Sequence, residues 1–339
     1  MSDGYSASDA FTQDLEILRT QTNPHFMQSD AWASFKRDSA WSIKTLNAPA
    51  SPLVARTFSR NVDGFGTLTH LPRVSGLTTE NVAAFTDEVR SGAGDSYAVK
   101  LETYQPRDEE LVDALIAAGW TGARSTQYRF GVTAELRADA DEAFMLIKKR
   151  ARNEVRQAQA RGVTSYRAEP TADVLTRLLD MIDAMQDRSG SFVRSDDYLR
   201  ASWDAFVSRG QGSFYVAEYE SQIVAGAFVI EYGANAFYKD GGSFRVESGI
   251  AVGRALQWQI MSDLGQRGFD RYDLGNVPNP AEESATMSGL LIFKSGFAKD
   301  ITEYMPAMEL ALGPRADEWR AIEPEFVSGF KSRTGDSFY

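Results

Sequence analysis

Apolar residues recur along the chain with two spacings, and the places where one gives way to the other mark out the elements. Apolar and polar positions alternate over 42–46, 53–58 and 65–71, which predicts three short strands of a meander. Helical spacing ahead of them predicts a short helix around Leu15 and Leu18. A second helix follows Ser29 and Asp30, either of which can cap a turn holding Trp32, Phe35 and Lys36. The third strand closes on Leu71-Pro72-Arg73-Val74-Ser75-Gly76, read as a strand-exit turn. Next come a helix over 81–90, a strand over 98–103, and a helix over 108–118 that stops at Gly119-Trp120.

The rest of the chain repeats this order with variations. A helix dense in cations begins after Asp139-Ala140-Asp141 and stops at Gly162, and another covers 172–188. In Arg194-Ser195-Asp196-Asp197-Tyr198 a serine or aspartate caps a helix running through Trp203 and Phe206. Strands over 214–218, 223–231 and 236–239 are joined by tight turns. Val252, Leu256, Ile260 and Leu264 then give 251–267 one packing face, and Gly268 stops that helix. The strand Arg271-Tyr272-Asp273-Leu274 ends in a Gly-Asn turn. A polar loop and an apolar run closing on Phe293-Lys294-Ser295-Gly296 follow, and a last amphipathic run spans 318–326. Each half reads helix, meander, helix, strand, a weak internal repeat of mixed α/β (α+β) units. Domain changes are expected near 140 and 305, with 1–140 plus 305–339 as one domain and 141–304 as the other.

Composition narrows the chemistry. A chain of 339 residues suits two cores better than one. The absence of cysteine excludes disulfides, thiolate nucleophiles and zinc–thiolate sites, and His25 and His70 alone leave little room for imidazole chemistry. No metal site is expected. No apolar run approaches the roughly 20 residues of a membrane helix, and the first residues lack the basic head and apolar core of a leader, so a cytoplasmic protein is expected. A net charge of −11 argues against general binding of nucleic acid. Between 148 and 161, however, Lys148, Lys149, Arg150, Arg152, Arg156 and Arg161 face a lone Glu154, and a run so nearly of one sign favours a local polyanion contact.

Five ordered motifs carry a resemblance: Phe26-Met27-Gln28-Ser29 with Trp32 and Lys36; Leu71-Pro72-Arg73; Arg152-Asn153 with Arg156, Ala158 and Gly162-Val163; Arg271-Tyr272-Asp273-Leu274-Gly275; and Phe293-Lys294-Ser295-Gly296-Phe297. Together they resemble the Fem family, aminoacyltransferases that build peptidoglycan interpeptide bridges from aminoacyl-tRNA. The resemblance implies two tandem GNAT-like acyltransferase domains, the first binding the muropeptide precursor and the second handling acyl transfer and the tRNA end. It implies transfer of an amino acid to the side-chain amine of the stem peptide, on UDP-MurNAc-pentapeptide or lipid II. No cofactor is implied beyond aminoacyl-tRNA as co-substrate. Lys36 and Arg194, with Tyr198, match positions that hold the precursor's diphosphate; Tyr238 matches a position lining the substrate cleft, and Arg73 falls in a matching substrate-side motif. Phe293-Lys294 matches the dipeptide near the tRNA end, and Lys148, Lys149, Arg152 and Arg156 are the candidate tRNA contacts. Gly162-Val163-Thr164 leaves no room for the helical arm of longer members, so the chain is similar to the short ones. The resemblance also admits peripheral association with the inner membrane face.

Read without the family, the same residues keep two meanings. An amine attacking an ester needs charge stabilisation at a tetrahedral oxyanion, and a lysine ammonium on an apolar run supplies it; a lysine ending a strand with its head in water is the ordinary alternative for Lys294. From spacing alone, Lys36 is a solvated residue one turn beyond Trp32. Arg194 and Tyr198, four apart, would meet on one helical face near its start or pair with Asp196 or Asp197. Asp273, at the end of a buried strand, could orient an amine or take its proton, and Glu282-Glu283 reads as a surface pair. An acyl-CoA-dependent N-acyltransferase would need a glycine-rich pyrophosphate loop that Ser248-Gly249-Ile250-Ala251-Val252-Gly253 does not reproduce. A non-catalytic precursor-binding protein is the other alternative.

Overall fold

The computed structural model describes residues 7–48, 52–189, 194–247, 249–281 and 285–339. The chain forms two compact units, 1–129 with 303–339, and 130–302. It passes between them at 129/130 and 302/303, where the sequence placed the changes near 140 and 305.

The first unit begins with α1 (Ala7–Thr20), a single 3-10 turn and α2 (Asp30–Arg37). Ser29 is the cap of α2, its Oγ accepting the Trp32 N–H at 3.1 Å. Then come β1 (Ser42–Ala48), β2 (Leu53–Val62), β3 (Gly66–Val74), α3 (Val82–Gly92), β4 (Ser96–Thr103), α4 (Glu109–Ala117) and β5 (Trp120–Gly122). The second unit holds β6 (Phe130–Glu135), α5 (Ala140–Leu146), α6 (Lys149–Ala160), β7 (Thr164–Ala168), α7 (Ala172–Ser189), α8 (Asp196–Val207), β8 (Gly212–Tyr219), β9 (Gln222–Tyr232), β10 (Asn235–Ser243), α9 (Val252–Gln266), β11 (Arg271–Asn276), α10 (Ala285–Lys294) and β12 (Thr302–Glu303). The first unit is completed by β13 (Met308–Ala311) and α11 (Arg315–Thr334).

The first sheet has the order β1-β2-β3-β4-β13-β5, with β3 and β4 parallel. Its apolar face, with Leu71, Val99 and Leu101, packs with Phe85 of α3 and Leu111 and Leu115 of α4. Leu68 and Ala98 on the opposite face meet Trp319 of α11 and Phe338. The second sheet runs β12-β6-β11-β10-β9-β8-β7, and α9 is the crossover between the parallel strands β10 and β11. The helical period read from Val252, Leu256, Ile260 and Leu264 is the buried face of α9 in this core.

Four expectations change. The strand ending at Leu71 continues through Pro72 and Arg73 to Val74, and its pairing with β4 slips between Pro72 and Val74. Arg73 there adopts φ +54°. The single cationic helix is two, because Ile147 is buried and extended between α5 and α6. The run ending at Lys294 is helix α10, so this lysine ends a helix and not a strand; a short apolar run has no period that separates the two. Strands β5, β6, β7, β12 and β13 were not expected. No described helix is long and apolar enough to cross a membrane.

Candidate functional site

The parallel strands of the second unit part company early. β10 and β11 pair at only three positions, Asn235 with Arg271, Ala236 with Tyr272 and Phe237 with Asp273. Beyond them β10 follows β9 through a bulge between Tyr238 and Asp240, while β11 slips against β6 from Asp273 opposite Thr133 to Asn276 opposite Gly131. Irregularities on both outer flanks turn the two strands apart, as bulges do. The result is an opening in the sheet at the C-terminal end of β11.

Local chemistry shapes one edge of this opening. Asp273 is buried and its Oδ1 accepts the Gly275 N–H at 2.6 Å, closing an aspartate turn. Gly275 sits at φ +79°, a conformation that suits glycine, and a Cβ there would lie 3.5 Å from Lys294 Nζ and 3.8 Å from the Tyr238 carbonyl oxygen. Lys294, the last residue of α10, sends its ammonium into this corner: Nζ donates to the Asn276 carbonyl at 2.8 Å and stands 5.9 Å from the Tyr238 ring centre. The residue is 5% exposed. Burial pulls its pKa down to about 8, and the charge of Asp273 works in the opposite direction. Burial, with a smaller contribution from Asp240, raises the phenol of Tyr238 above its ordinary range. Lys294, Asp273 and Tyr238 are thus brought together. Such a corner offers a desolvated cation, close to neutral titration, to an oxyanion placed in the opening.

Phe293 turns the other way. Its ring packs 5.7 Å from Phe297 and against Gly253, where a Cβ would be 3.5 Å from it. Behind it stands a residue the sequence reading missed. Arg254 of α9 is buried and donates to the Ile292 and Phe293 carbonyls at the end of α10, while its Nε meets Glu154 of α6 at 2.8 Å. One signal pointed to it: the lone Glu154 among six cations.

The four candidate tRNA contacts divide into two kinds. Lys148 and Lys149 are exposed at the start of α6, whose first turn has no acidic residue and no side-chain cap. Arg152 instead caps α5, donating to the Met145 and Ile147 carbonyls at 2.9 and 2.7 Å, and the Arg156 guanidinium lies 4.9 Å from the Phe144 ring centre. Arg150 pairs with Glu154 at 2.9 Å.

Arg194 precedes the cap of α8, since Ser195 Oγ accepts the Tyr198 N–H at 3.3 Å. It lies outside the helix, not on its face, and its guanidinium still stacks 4.5 Å from the Tyr198 ring centre. In the first unit, Lys36 is 5% exposed, with its ammonium 5.4 Å from the Trp32 ring and 5.8 Å from Trp41. The solvated lysine expected from spacing is a buried one, and Trp41, beyond the helix, is the second ring beside its ammonium. Arg73 is buried too. Tyr128, Tyr304 and Tyr104 enclose its guanidinium at 4.2, 5.1 and 5.6 Å, and it donates to the Tyr128 carbonyl at 2.9 Å. Glu282-Glu283 lies outside the described residues. Among the described residues, no cluster of His, Asp and Glu is placed to hold a metal ion.

The class of fold is now plain. Residues 147–282, which include both strands of the opening, match the family model described as acetyltransferase (GNAT) domain. The chain is α/β, with two sheets and flanking helices, and it takes the fold of the crystal structure of FemX: TM-score 0.80 at 16% identity, covering 93% of this chain and 98% of that one. It is also similar to the C-terminal domain of a putative lysylphosphatidylglycerol synthetase from Agrobacterium fabrum, with TM-score 0.56 at 15% identity over 95% of this chain and 97% of that one. In sequence, 86 residues are 30% identical to aminoacyltransferase FemA of Staphylococcus epidermidis, a stretch covering 25% of this chain and 20% of that relative.

Proposed function

We propose that the protein is an aminoacyltransferase that moves an amino acid from aminoacyl-tRNA to the side-chain amine of a peptidoglycan precursor's stem peptide, carried on UDP-MurNAc-pentapeptide or lipid II. The observation that carries this reading is the ammonium of Lys294, buried at the opening between β10 and β11. The GNAT match over the same strands, the FemX-like fold and the short identity to an aminoacyltransferase support it.

In this mechanism the free amine attacks the ester carbonyl, and the Lys294 ammonium stabilises the oxyanion that forms. A C–N bond forms and the ester C–O bond breaks. The 3′-terminal hydroxyl of the tRNA leaves with the proton that the amine gives up. Asp273 holds the Gly275 turn and favours the charged form of Lys294. Tyr238 bounds the opening, and Phe293 fixes the end of α10 against α9. Within the second unit, Arg194 stacked on Tyr198 binds a phosphate of the precursor, and within the first unit Lys36 carries its charge over two indoles as a second substrate-binding cation. Arg73, enclosed by Tyr104, Tyr128 and Tyr304, is a further substrate-binding residue of the first unit. Lys148 and Lys149 meet tRNA phosphates, and Arg152 and Arg156 hold α6 on α5 so that they can. The proposed setting is the cytoplasm, with no cofactor besides the charged tRNA.

Mass spectrometry of muramyl pentapeptide incubated with the protein and bulk charged tRNA tests the reading. The expected product is heavier by one aminoacyl residue and disappears when the tRNA is uncharged. Absence of that product, together with acetylation of a small amine from acetyl-CoA, overturns it.

A further inference from the structure

Helix α10 has to deliver one atom, Lys294 Nζ, from its last residue, where helices ordinarily fray. The final carbonyls of a helix have no partner within it and need an external donor to hold the last turn. Here the chain's own Gly296 and Phe297 N–H groups reach the Phe293 and Lys294 carbonyls at 3.2 and 3.1 Å, and a side chain from another helix supplies the further donors. Arg254 Nη1 and Nη2 donate to the Phe293 and Ile292 carbonyls, the second at 3.1 Å. The same guanidinium lies 4.8 Å from the Phe293 ring centre and 5.1 Å from that of Phe297, filling the bend after the helix. Its third nitrogen, Nε, donates to Glu154 Oε2 at 2.8 Å, and Arg254 is 6% exposed. Room for it depends on Gly296, where a Cβ would fall 2.2 Å from Arg254 Nη1. The Gly296 carbonyl in turn accepts the Lys148 N–H at 2.9 Å, so the segment after Lys294 is tied to the start of α6 as well.

We propose that Arg254 is a positioning residue for the transfer reaction: it clamps the last turn of α10 between α9 and α6, so that the Lys294 ammonium is held in the opening between β10 and β11. The inference rests on the function proposed for Lys294. Arg254 faces the carbonyls and not the opening, so it does not touch the reacting atoms. A planar fork with donors at fixed angles suits three acceptors at once, and neither lysine nor glutamine reproduces it. Glu154 sets the fork's orientation and is shared with Arg150 at 2.9 Å.

The test compares Arg254→Gln, Arg254→Lys and Glu154→Gln with wild type by two readouts. One is kcat and KM for aminoacyl transfer. The other needs no substrate: lysine carbon NMR follows the titration of Lys294, assigned by its loss in Lys294→Met. The charged and titratable groups around that ammonium are Asp273 on β11 and Tyr238 on β10. Loosening the turn lets the ammonium reach water, so Arg254→Gln is expected to move the titration up by about one pH unit or more. It is expected to cut kcat about 30-fold or more with KM within about twofold, the cost of a small misplacement. Arg254→Lys should fall between Arg254→Gln and wild type in both readouts, because it restores the charge but not the planar fork. Glu154→Gln should shift both readouts in the same direction by less, and it carries the test if circular dichroism shows Arg254→Gln unfolded. Wild-type titration and kcat in both glutamine variants, or a change confined to KM, would overturn the proposal. If wild type transfers nothing, the proposed reaction falls, while the titration still decides whether Arg254 positions Lys294.

Discussion

The two units each contain a parallel strand pair with a buried lysine nearby, and they treat it in opposite ways. In the first unit β3 and β4 stay paired from Thr67 to Val74, broken only by slips of register. Lys100 on β4 is 0% exposed; it pairs with Glu323 of α11, donates to the Arg124 carbonyl at 3.0 Å and lies 5.0 Å from the Tyr339 ring centre. Its charge is met by a carboxylate and an aromatic face inside a closed structure. In the second unit the pairing ends after three positions, and Lys294 stands at the gap with a backbone carbonyl as its hydrogen-bond acceptor. The same kind of layer thus sets its lysine against a carboxylate where the strands stay zipped and against a backbone carbonyl where they part. What differs is the backbone, through two flanking irregularities and the turn at Gly275.

This contrast can be broken from the closed side first. Lys100→Met strands Glu323 as a buried charge and should cost about 3–5 kcal/mol of stability in denaturant unfolding, with turnover per folded molecule unchanged. Loss of turnover without loss of stability would instead make Lys100 part of the chemistry. On the open side, Lys294→Met should lower kcat for aminoacyl transfer by about 10²–10³-fold, with precursor affinity by calorimetry within about twofold. Unchanged turnover removes Lys294 from the mechanism.

The same substitution has the opposite effect on stability. An ordinary lysine titrates near 10.5 and Lys294 near 8, so between these values the folded chain binds fewer protons than the unfolded chain. Wild-type stability therefore rises as pH climbs through that window, and the cost of burying the charge is present in full below it. Lys294→Met removes this cost and should be more stable at pH 7 by about 1–2 kcal/mol, less the lost bond to Asn276. Its lead should shrink from pH 8 to 10.5. Wild-type turnover should fall as pH passes about 8 and the ammonium is lost. A pH-independent gap in melting temperature would contradict the assignment. The smallest effect belongs to the exposed cations: replacing Lys148 and Lys149 with alanine should raise the KM for charged tRNA about three- to tenfold at moderate salt, and less at high salt. An equal rise for the precursor would separate these lysines from tRNA.

Much of the architecture is legible along the chain, and the exceptions share a cause. Alternation over 42–71 and the three strands from 214 to 239 stand out because one face of each strand is buried and strands of that length repeat the pattern often enough to be read. β5 has three residues and β13 four, too few for a period, and each is defined by long-range pairing, β13 with β4 and β5 with β13. Lys294 attracts notice as a lysine closing an apolar run, yet its helix does not, since such a run is compatible with either element. Lys36 is misjudged because Trp41, the second ring beside its ammonium, lies beyond the helix that carries it. Arg254 is unreadable as a clamp, since its three acceptors lie on helices 100 and 38–39 residues away in sequence.

The sequence by itself determined the mixed α/β layers, the two capped helix starts at Ser29-Asp30 and Ser195-Asp196-Asp197, the cationic stretch and the strand–turn Asp273-Leu274-Gly275. Each of these depends on period, on local hydrogen bonding or on charge, which neighbours in the chain settle among themselves. The tertiary structure decided the early parting of β10 from β11, the sharing of cations between helix caps and an exposed face, and the burial of Lys36, Arg73 and Lys294. Those follow from desolvation and from hydrogen bonds closed over long stretches of chain, and a residue acquires them only when distant segments are brought against it.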